Sequence, residues 1–373
     1  KSARTAYGVI TLPVVVHVIH NAGEAIGTGR NISEAQILSQ ITVLNEDFRK
    51  TGFGDNSDPD GADTEIEFVM AQRDPNGNAT NGIVRWDWNT IPNKGGITSP
   101  FTSGEVNSGI KPNTIWDPTQ YFNMWTADLD GGILGYAQFP EAGLAGMSGN
   151  GGTSDTDGLV MVYSSFGSNH PEHGGPFASL AAPYDKGRTA THEIGHGLGL
   201  RHIWGDGGCG VDDFCEDTPT AGAANFGCPT VNSCTDPGVD ENDMVENYMD
   251  YTDDDCMNIF TEDQKARMRT VLLNSPRRAT LSTSSGLIPP STNDIFMLEV
   301  LAPRIEILNG TFIPQISIKN TGSATLTSAS FRTKIDGVEA NTTSWTGSVA
   351  SDATATVSLS STTVALGTHT ISV

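Results

Sequence analysis

Three histidines and one glutamate within eleven residues constrain this chain more than any other feature of its sequence. They occur in the run Thr-Ala-Thr-His192-Glu193-Ile-Gly-His196-Gly-Leu-Gly199-Leu-Arg-His202. Two histidines four residues apart share one face of a helix, where their ring nitrogens can bind the same cation. Because Gly199 can adopt positive φ without steric cost, it can end the helix and return the chain to bring in His202. The run therefore predicts a helix, a chain reversal and a three-histidine metal site.

Zinc is the metal that this arrangement favours. Three protein ligands leave a fourth position open for water, which is typical of a catalytic rather than a structural zinc site. Glu193 flanks the metal-binding face and is the expected general base for that water. Ala190, Ile194 and Leu198 recur on the opposite face, which predicts an amphipathic helix with that side in the core. A bare His-Glu-x-x-His run can arise by chance, but the complete spacing argues against coincidence.

The composition is that of an acidic globular chain with room for about two domains. Acidic residues outnumber basic ones by 44 to 21 among 373 residues, which gives a formal charge of -23. Such a charge disfavours nucleic acid and anionic membrane surfaces as partners. No apolar run approaches the roughly 18 residues that cross a bilayer. We therefore expect protein or peptide substrates, no membrane insertion and a monomeric chain.

The cysteines predict disulfides and an extracellular location. All five, Cys209, Cys215, Cys228, Cys234 and Cys256, lie within one 48-residue stretch after the histidine motif. Their spacing matches no zinc ribbon, and a loop-rich segment in an oxidising compartment gains about 2 to 4 kcal/mol from each cross-link. We expect two disulfides and one leftover thiol, for which roughly fifteen arrangements are possible. The first residues contain no hydrophobic signal core, so we expect a secreted chain trimmed to its mature start.

Strand and helix patterns alternate over the first three quarters of the chain. The continuous apolar and β-branched run at residues 10–19 predicts a strand buried on both faces. Further strands are predicted at 66–72, 122–126 and 159–163. Capping-box patterns at 33–36 and 261–264 predict helices that end near Gly52 and Leu273. Strands that alternate with helices indicate an α/β (α+β) domain with a mostly parallel or mixed sheet.

A change of composition near residue 283 predicts a second domain. Residues 283–293 are rich in Ser, Thr, Gly and Pro and resemble a linker. Residues 294–373 contain short β-rich runs separated by glycine turns, including those at 305–308, 314–318 and 355–359. This pattern is typical of a small Ig-like β-sandwich. The last residues are themselves strand-like, so the sequence is also consistent with a truncated form of this domain. We therefore expect a catalytic domain at 1–282, a linker at 283–293 and a β-sandwich at 294–373.

Three further tracts carry a family resemblance. They are Glu246-Asn-Tyr-Met249-Asp-Tyr251 with the residues that follow it to Met257, Leu134-Gly-Tyr-Ala-Gln-Phe-Pro140, and Val15-Val-His-Val-Ile19. Together with the histidine motif they resemble the pappalysin family of metzincin zinc proteases, in particular its microbial, ulilysin-like members. The resemblance covers roughly residues 10–275. It implies two lobes around a zinc cleft, a twisted mixed sheet of about five strands, and a zymogen that matures when a propeptide is removed.

The resemblance also implies roles for individual residues. Met249 would form a hydrophobic floor beneath the zinc, and Tyr251 would hydrogen-bond the oxyanion of the tetrahedral intermediate. Asp254 would line the S1′ pocket and select arginine or lysine at P1′. The disulfides would be Cys209–Cys234 and Cys228–Cys256, with Cys215 left over. A structural calcium is also implied, with Asp213, Asp217 and Thr218 as its ligands, because these residues offer the hard oxygen atoms that calcium prefers.

The sequence thus predicts a secreted zinc endopeptidase. The alternative is a catalytically weak matrix or cell-surface binding protein that acts through its C-terminal β-sandwich. The intact Glu193 argues against that alternative, because a decayed site has no need of its general base.

Overall fold

A long buried strand, β1 (Ile10–His20), organises the larger of the two units into which the chain divides. The structure is a computed structural model that describes residues 8–53, 57–147, 151–235, 240–303 and 310–373. The larger unit runs up to Ala71 and continues over Gly82–Leu287. The smaller unit contains Gln72–Asn81 and Ile288–Val373. Most of the predicted linker therefore falls in the smaller unit, and the predicted domain limits remain a prediction.

The sheet of the larger unit is mixed. The N-terminal half of β1 pairs in parallel with β2 (Ile66–Met70), and its C-terminal half pairs in parallel with β3 (Ile83–Asp87). On its other side β1 pairs in parallel with β4 (Phe122–Ala127). Beyond β4 lies β6 (Leu159–Val162), parallel to β4, and the antiparallel strand β5 (Gly135–Ala137) follows at the edge. Within the described ranges the sheet has six strands, because β3 adds one to the predicted number of about five.

The apolar run of β1 is explained by cover on both of its faces. Leu12, Val14 and Val16 belong to a core cluster that also contains residues of the helices. Ile19 points into a second cluster, which includes Trp125. A strand buried on both sides needs apolar residues at consecutive rather than alternate positions, which is the pattern that the sequence shows.

The first helix, α1 (Glu34–Phe48), confirms part of the prediction and corrects the rest. Ser33 caps it, since its side chain accepts a hydrogen bond from the backbone N–H of Gln36. The Gln36 side chain does not return to the cap as a capping box requires, because its Oε1 accepts instead from the hydroxyl of Ser179 at 2.7 Å. The helix also ends at Phe48, before the predicted Gly52.

Two later helices frame the histidine motif. The first, α2 (Arg188–Gly197), carries the motif itself, and the second is α3 (Glu262–Asn274). The predicted capping box of α3 is confirmed, because Thr261 and Gln264 exchange both hydrogen bonds. An unpredicted helical stretch also precedes β4, in three consecutive segments: Ser103–Glu105, Val106–Ile110 and Lys111–Thr114.

The smaller unit consists of β-strands in its described residues. Their bounds are β7 (Ile295–Ala302), β8 (Gly310–Phe312), β9 (Gln315–Asn320), β10 (Leu326–Ile335), β11 (Val338–Val349), β12 (Thr354–Ser358), β13 (Thr362–Val364) and β14 (Ile371–Ser372). They pair antiparallel in three small sheets, with orders β11-β10-β14, β12-β9-β7 and β13-β8. Ile316, Ile318 and Phe331 lie in a shared core. The strand predicted at 305–308 falls outside the described residues. Over the described part of the chain, no helix is long and apolar enough to cross a membrane.

Candidate active site

The turn after α2 brings the third histidine back toward the first two. The last helical hydrogen bonds run from Leu198 N to Ile194 O at 2.8 Å and from Leu200 N to Gly195 O at 2.9 Å. Between them Gly199 has φ of 95°, which a residue with a side chain rarely adopts. The helix therefore stops where the sequence predicts, and the chain reverses toward His202.

Each motif histidine is held by a hydrogen bond at Nδ1. His192 bonds the carbonyl of Tyr248 at 2.7 Å, and His196 bonds the carbonyl of Leu200 at 2.8 Å. His202 bonds the Asp206 carboxylate. These oxygen partners can only accept, so each Nδ1 carries the proton and each Nε2 keeps its lone pair free.

The free nitrogens converge. Nε2 of His196 lies 3.1 Å from Nε2 of His202. One ring nitrogen from each of the three histidines, available to bind a metal, lies within 4.8 Å of the other two. Burial lowers the pKa of all three rings, to about 3 for His196, and each ring also responds to charge on its neighbours. Neutral imidazoles with converging lone pairs are suited to a divalent metal, and the described ranges contain no other such cluster of histidine, cysteine and acidic residues.

Met249 packs directly against α2. It is fully buried, and its backbone N–H donates to the side-chain oxygen of Asn247 at 2.9 Å in a tight turn. Its sulfur lies so close to Gly195 that a Cβ added there would be 2.4 Å from Sδ. The preceding carbonyl, that of Tyr248, is the one that holds His192. The turn thus supports the helix from beneath and orients one of its histidines.

We expect Gly195→Ala to lower the free energy of unfolding by about 1–3 kcal/mol, because the added methyl overlaps the Met249 sulfur. Gly197→Ala is the matched control. Its Cβ would meet Phe122 at 3.4 Å, an ordinary contact, and alanine favours a helix over glycine by about 1 kcal/mol. Urea unfolding of both variants measures the difference. Equal stability of the two would contradict the packing of Met249 against the helix.

Glu193 lies beside the histidines on a wall formed by β5. A Cβ added to Gly135 would lie 2.9 Å from its Cγ, so only glycine allows this approach. The side chain is buried, and its Oε2 has no hydrogen-bond partner among the described residues. Burial raises the pKa of Glu193 to about 8, an effect that the ammonium of Lys111 opposes. A buried carboxylate with an unsatisfied oxygen is typical of a group that acts on a bound molecule.

Aromatic rings surround the open side of the histidine cluster. Trp204 stacks on His202 with ring centroids 4.2 Å apart. The Tyr251 ring lies 5.4 Å from that of His192 and 4.9 Å from that of His202, and the residue is 40% exposed. Burial of part of the ring raises the pKa of Tyr251 to about 12, so its hydroxyl keeps its proton and can donate a hydrogen bond.

A cavity of about 430 Å³ opens next to His192 and Glu193. Its other lining residues are Gly132, Ile133, Leu134, Gly135, Tyr184, Arg188, Thr189, Phe226, Asp250, Tyr251, Thr252, Asp254 and Met257. Asp254 is buried, and its Oδ2 accepts hydrogen bonds from the backbone N–H groups of Lys186 at 2.7 Å and Arg188 at 3.3 Å. Burial raises the pKa of its carboxyl to about 7. The sequence-predicted pocket residue therefore lies in a cavity beside the predicted catalytic residues.

The predicted calcium ligands lie near one another but bind protein groups. Asp213 accepts hydrogen bonds from the Thr218 hydroxyl at 2.8 Å and from the backbone of Cys215. Asp217 accepts from the Thr261 hydroxyl at 2.6 Å and from the backbone N–H of Asp263 at 2.9 Å, at the start of α3. The calcium site stays a prediction.

The structure contains the disulfides Cys209–Cys234 and Cys228–Cys256, and Cys215 is a buried free thiol. This is the pairing that the family resemblance implies. The second disulfide joins the loop next to Phe226, on the cavity rim, to the segment that carries Asp254. The Cys228–Cys256 disulfide therefore links two segments of the cavity wall.

Sequence reasoning missed several residues of the site. Asp206 orients His202 and is itself held by Arg201 at 3.1 Å. The signal for Asp206 was present, because a carboxylate four residues after a metal-binding histidine is a common partner for its second nitrogen. Asp47 and Lys111, by contrast, reach the surroundings of the site from distant elements that no local pattern connects.

Comparison with protein families identifies a similar region around the motif. Residues 175–273 match the family described as Pregnancy-associated plasma protein-A. An extracellular metalloprotease of Pyricularia oryzae is 31% identical over 267 residues, which are 70% of this chain and 75% of the relative. Extracellular metalloprotease 1 of Coccidioides posadasii is 41% identical over 241 residues, which are 64% of this chain and 69% of the relative.

Solved structures show the same likeness. Mature mirolysin of Tannerella forsythia, in complex with a cleaved peptide, is 40% identical and superposes with a TM-score of 0.60. The match covers 76% of this chain and all of that chain. A mutant of promirolysin from the same organism also matches with a TM-score of 0.60, over 74% of this chain and 85% of its own.

Proposed function

The chain belongs to the pappalysin family of metalloproteases, and we propose that it is a secreted zinc endopeptidase that cuts proteins before arginine or lysine. The observation that carries the proposal is the position of Glu193. It follows the first of three histidines whose nitrogens converge, and it lines the same cavity as the buried carboxylate of Asp254. The proposed catalytic residues and the proposed substrate pocket are therefore adjacent.

Zinc fits the histidine cluster. His192, His196 and His202 would hold it through Nε2, because each Nδ1 is already committed to an oxygen acceptor. When bound, zinc would polarise the scissile carbonyl and lower the pKa of the attacking water.

The protein groups supply the proton transfers and the oxyanion contact. Glu193 would take a proton from the attacking water and then give it to the leaving amine. Its burial favours both steps, because it raises the pKa of the carboxyl to about 8, close to neutral pH. The Tyr251 hydroxyl would donate a hydrogen bond to the developing oxyanion, and its partial exposure leaves the ring room to turn. Met249 and the turn at Gly199 would keep the histidines in place.

The cavity would be the S1′ pocket. Ile133, Phe226 and Met257 offer apolar surface along it, whereas Asp254 provides a negative charge. This combination suits arginine and lysine, whose side chains have an apolar stem and a cationic end. Asp254 Oδ2 is occupied by two backbone donors, so the recognition of the cation would rely on the remaining oxygen and on the charge.

Preference for a basic P1′ residue should rise with pH through about 7. Asp254 has a raised pKa of about 7, so its carboxyl is neutral below that pH and charged above it. Arginine stays cationic throughout, whereas citrulline has nearly the same shape and no charge. We expect the ratio of kcat/KM for arginine to that for citrulline to increase about tenfold from roughly pH 6 to roughly pH 8. Because both peptides meet the same catalytic groups, the ratio isolates the pocket, and a flat ratio contradicts its assignment.

Further properties belong to the same proposal. The disulfides fit an extracellular location, which agrees with the names of the relatives. We also propose that the chain matures by removal of a signal peptide and propeptide. A structural calcium near Asp213 and a monomeric state belong to the same proposal. The antiparallel sheets of the smaller unit support an Ig-like β-sandwich as a separate C-terminal module.

A peptide library tests the proposal. The purified protein would be incubated with a diverse peptide mixture, with and without a zinc chelator, and every new terminus mapped by mass spectrometry. We expect internal cleavages with arginine or lysine after the cut, loss of cleavage with chelator, and recovery when zinc is added back. Cleavage before other residues would remove the S1′ assignment but leave the protease. Full activity in the metal-depleted protein would contradict the zinc mechanism.

A further inference from the structure

Two positively charged side chains lie next to Asp254, and each is paired with a different acid. Lys186 forms an ion pair with Asp255 at the surface. Arg188 forms a buried ion pair with Asp47, with Nε 3.1 Å from Oδ2 and side-chain exposures of 1% and 0%. The pairing of Arg188 matters more, because Arg188 is buried and lines the cavity, where an unpaired cation would neutralise the charge that a basic substrate side chain is to meet. Lys186 is partly exposed and does not line the cavity, so solvent screens its charge.

The guanidinium of Arg188 is directed at main-chain oxygens rather than at the Asp254 carboxylate. It donates to the carbonyls of Asp254 at 3.2 Å, of Phe53 at 2.8 Å, and of Met257. Asp254 Oδ2 instead receives the backbone N–H groups of Lys186 and Arg188. The arginine that lines the cavity is therefore ion-paired with Asp47 rather than with the carboxylate of the same cavity, although its charge still lowers the pKa of Asp254.

Asp47 is fixed in the position that makes this possible. It lies near the end of α1, and its Oδ2 accepts a hydrogen bond from the hydroxyl of Thr191 on α2 at 2.6 Å. Burial raises the pKa of Asp47, and the charge of Arg188 and the side chains of Thr191 and Tyr248 oppose this rise. Asp47 is buried and is not among the residues that line the cavity. Of the residues that line the cavity it pairs with Arg188, and its charge also helps to raise the pKa of Asp254.

We propose that Asp47 determines the P1′ specificity of this protein as a positioning residue. By neutralising Arg188 it leaves Asp254 as the uncompensated charge of the cavity, which an arginine or lysine of the substrate then balances. The inference rests on the proposed S1′ role of the cavity and adds a residue beneath it that never touches substrate.

Charge arithmetic gives the expected effect. Arg188, Asp47 and Asp254 together carry one net negative charge when all are ionised. Asp47→Asn would bring that sum to zero and leave Arg188 facing the incoming cation, which should lower selectivity for a cation by roughly tenfold or more. Asp47→Asn with Arg188→Gln restores the net negative charge while it still lacks the ion pair.

The experiment compares three peptides that differ only at P1′, with arginine, citrulline or glutamate. The zinc-loaded wild type, Asp47→Asn, and the double variant would each be assayed at about pH 8, where Asp254 is mostly ionised. For Asp47→Asn we expect the arginine to citrulline ratio of kcat/KM to fall at least about tenfold and the glutamate peptide to improve. For the double variant we expect the ratio to return to within about threefold of wild type.

The outcomes separate charge from packing. A double variant as unselective as Asp47→Asn, or an Asp47→Asn variant with unchanged selectivity, would overturn the role of Asp47. Where Asp47→Asn is too unstable to purify, because removal of one partner leaves a buried charge, the double variant decides alone. If Asp47 has a purely structural role, the double variant should lose its selectivity for arginine. If the charge of Asp47 is what matters, the double variant should keep that selectivity. A wild type that does not distinguish arginine from citrulline would remove the proposed S1′ pocket itself, before any variant is compared.

Discussion

Glu193→Gln should lower kcat for peptide cleavage by about a thousandfold, which is within the usual range for the loss of a general base. The amide has nearly the shape of the carboxylate but cannot accept the proton of the attacking water. The side chain is buried beside Gly135, and no side chain of the described residues hydrogen-bonds its Oε2. Steady-state kinetics on an internally quenched peptide measure the loss.

The control for this variant must show that the site is otherwise intact. Zinc content and the thermal unfolding midpoint should match the wild type, because Glu193 does not belong to the histidine cluster that would hold the metal. Glu172→Gln, at an exposed position, should keep full activity. Wild-type kcat in Glu193→Gln with zinc bound would sink the general-base assignment.

Asp254→Asn should reduce kcat/KM for a peptide with arginine at P1′ by on the order of a hundredfold, because it removes a buried partner for a charged group. The same variant should change the rate for citrulline little. The asparagine oxygen can still accept the backbone N–H groups of Lys186 and Arg188, so the local structure has a means to persist. Kinetics with the two peptides at about pH 8 give the result.

Asp255→Asn is the matched control for Asp254→Asn. The neighbouring carboxylate is exposed and pairs with Lys186, and exposed pairs contribute only about 0–1 kcal/mol. Its loss should change the arginine to citrulline ratio less than about threefold. An equal effect of the two variants would show that the general negative charge of the surface, rather than the cavity, attracts basic substrates.

The parts of the fold that the sequence predicted correctly are those specified by adjacent residues. The apolar run of β1 reports burial on both faces, and the motif of α2 fixes both helix and turn. Strand β3 was missed because it is short and all five of its residues are half-buried, so it shows no alternation of apolar and polar positions.

The helical stretch before β4 was missed for a different reason. It contains glycines and a proline, which ordinarily indicate a loop. Gly109 is required there because a Cβ would lie 2.5 Å from the carbonyl oxygen of Lys94. The glycine that suggests a loop in the sequence is therefore present because two segments approach each other closely.

The residues of the site also fall into those that the sequence predicts and those that only the folded chain reveals. The histidines, Glu193 and the turn at Met249 are contained in two short runs, which the sequence displays directly. The contacts that tune them are long-range, such as the hydrogen bond that joins Thr191 to Asp47, and no local pattern contains both partners. The orphaned oxygen of Glu193 and the pairing of Arg188 are likewise properties of the folded chain alone.

The cavity wall has a consequence for how this enzyme could diverge. Its lining comes from several stretches of chain, and only His192 and Glu193 belong to the histidine motif. Phe226 and Asp254 lie on segments that the Cys228–Cys256 disulfide joins to each other. During evolution, insertions or exchanges in these stapled loops could change which proteins are digested, while the inherited chemistry of α2 and Met249 passes on unaltered.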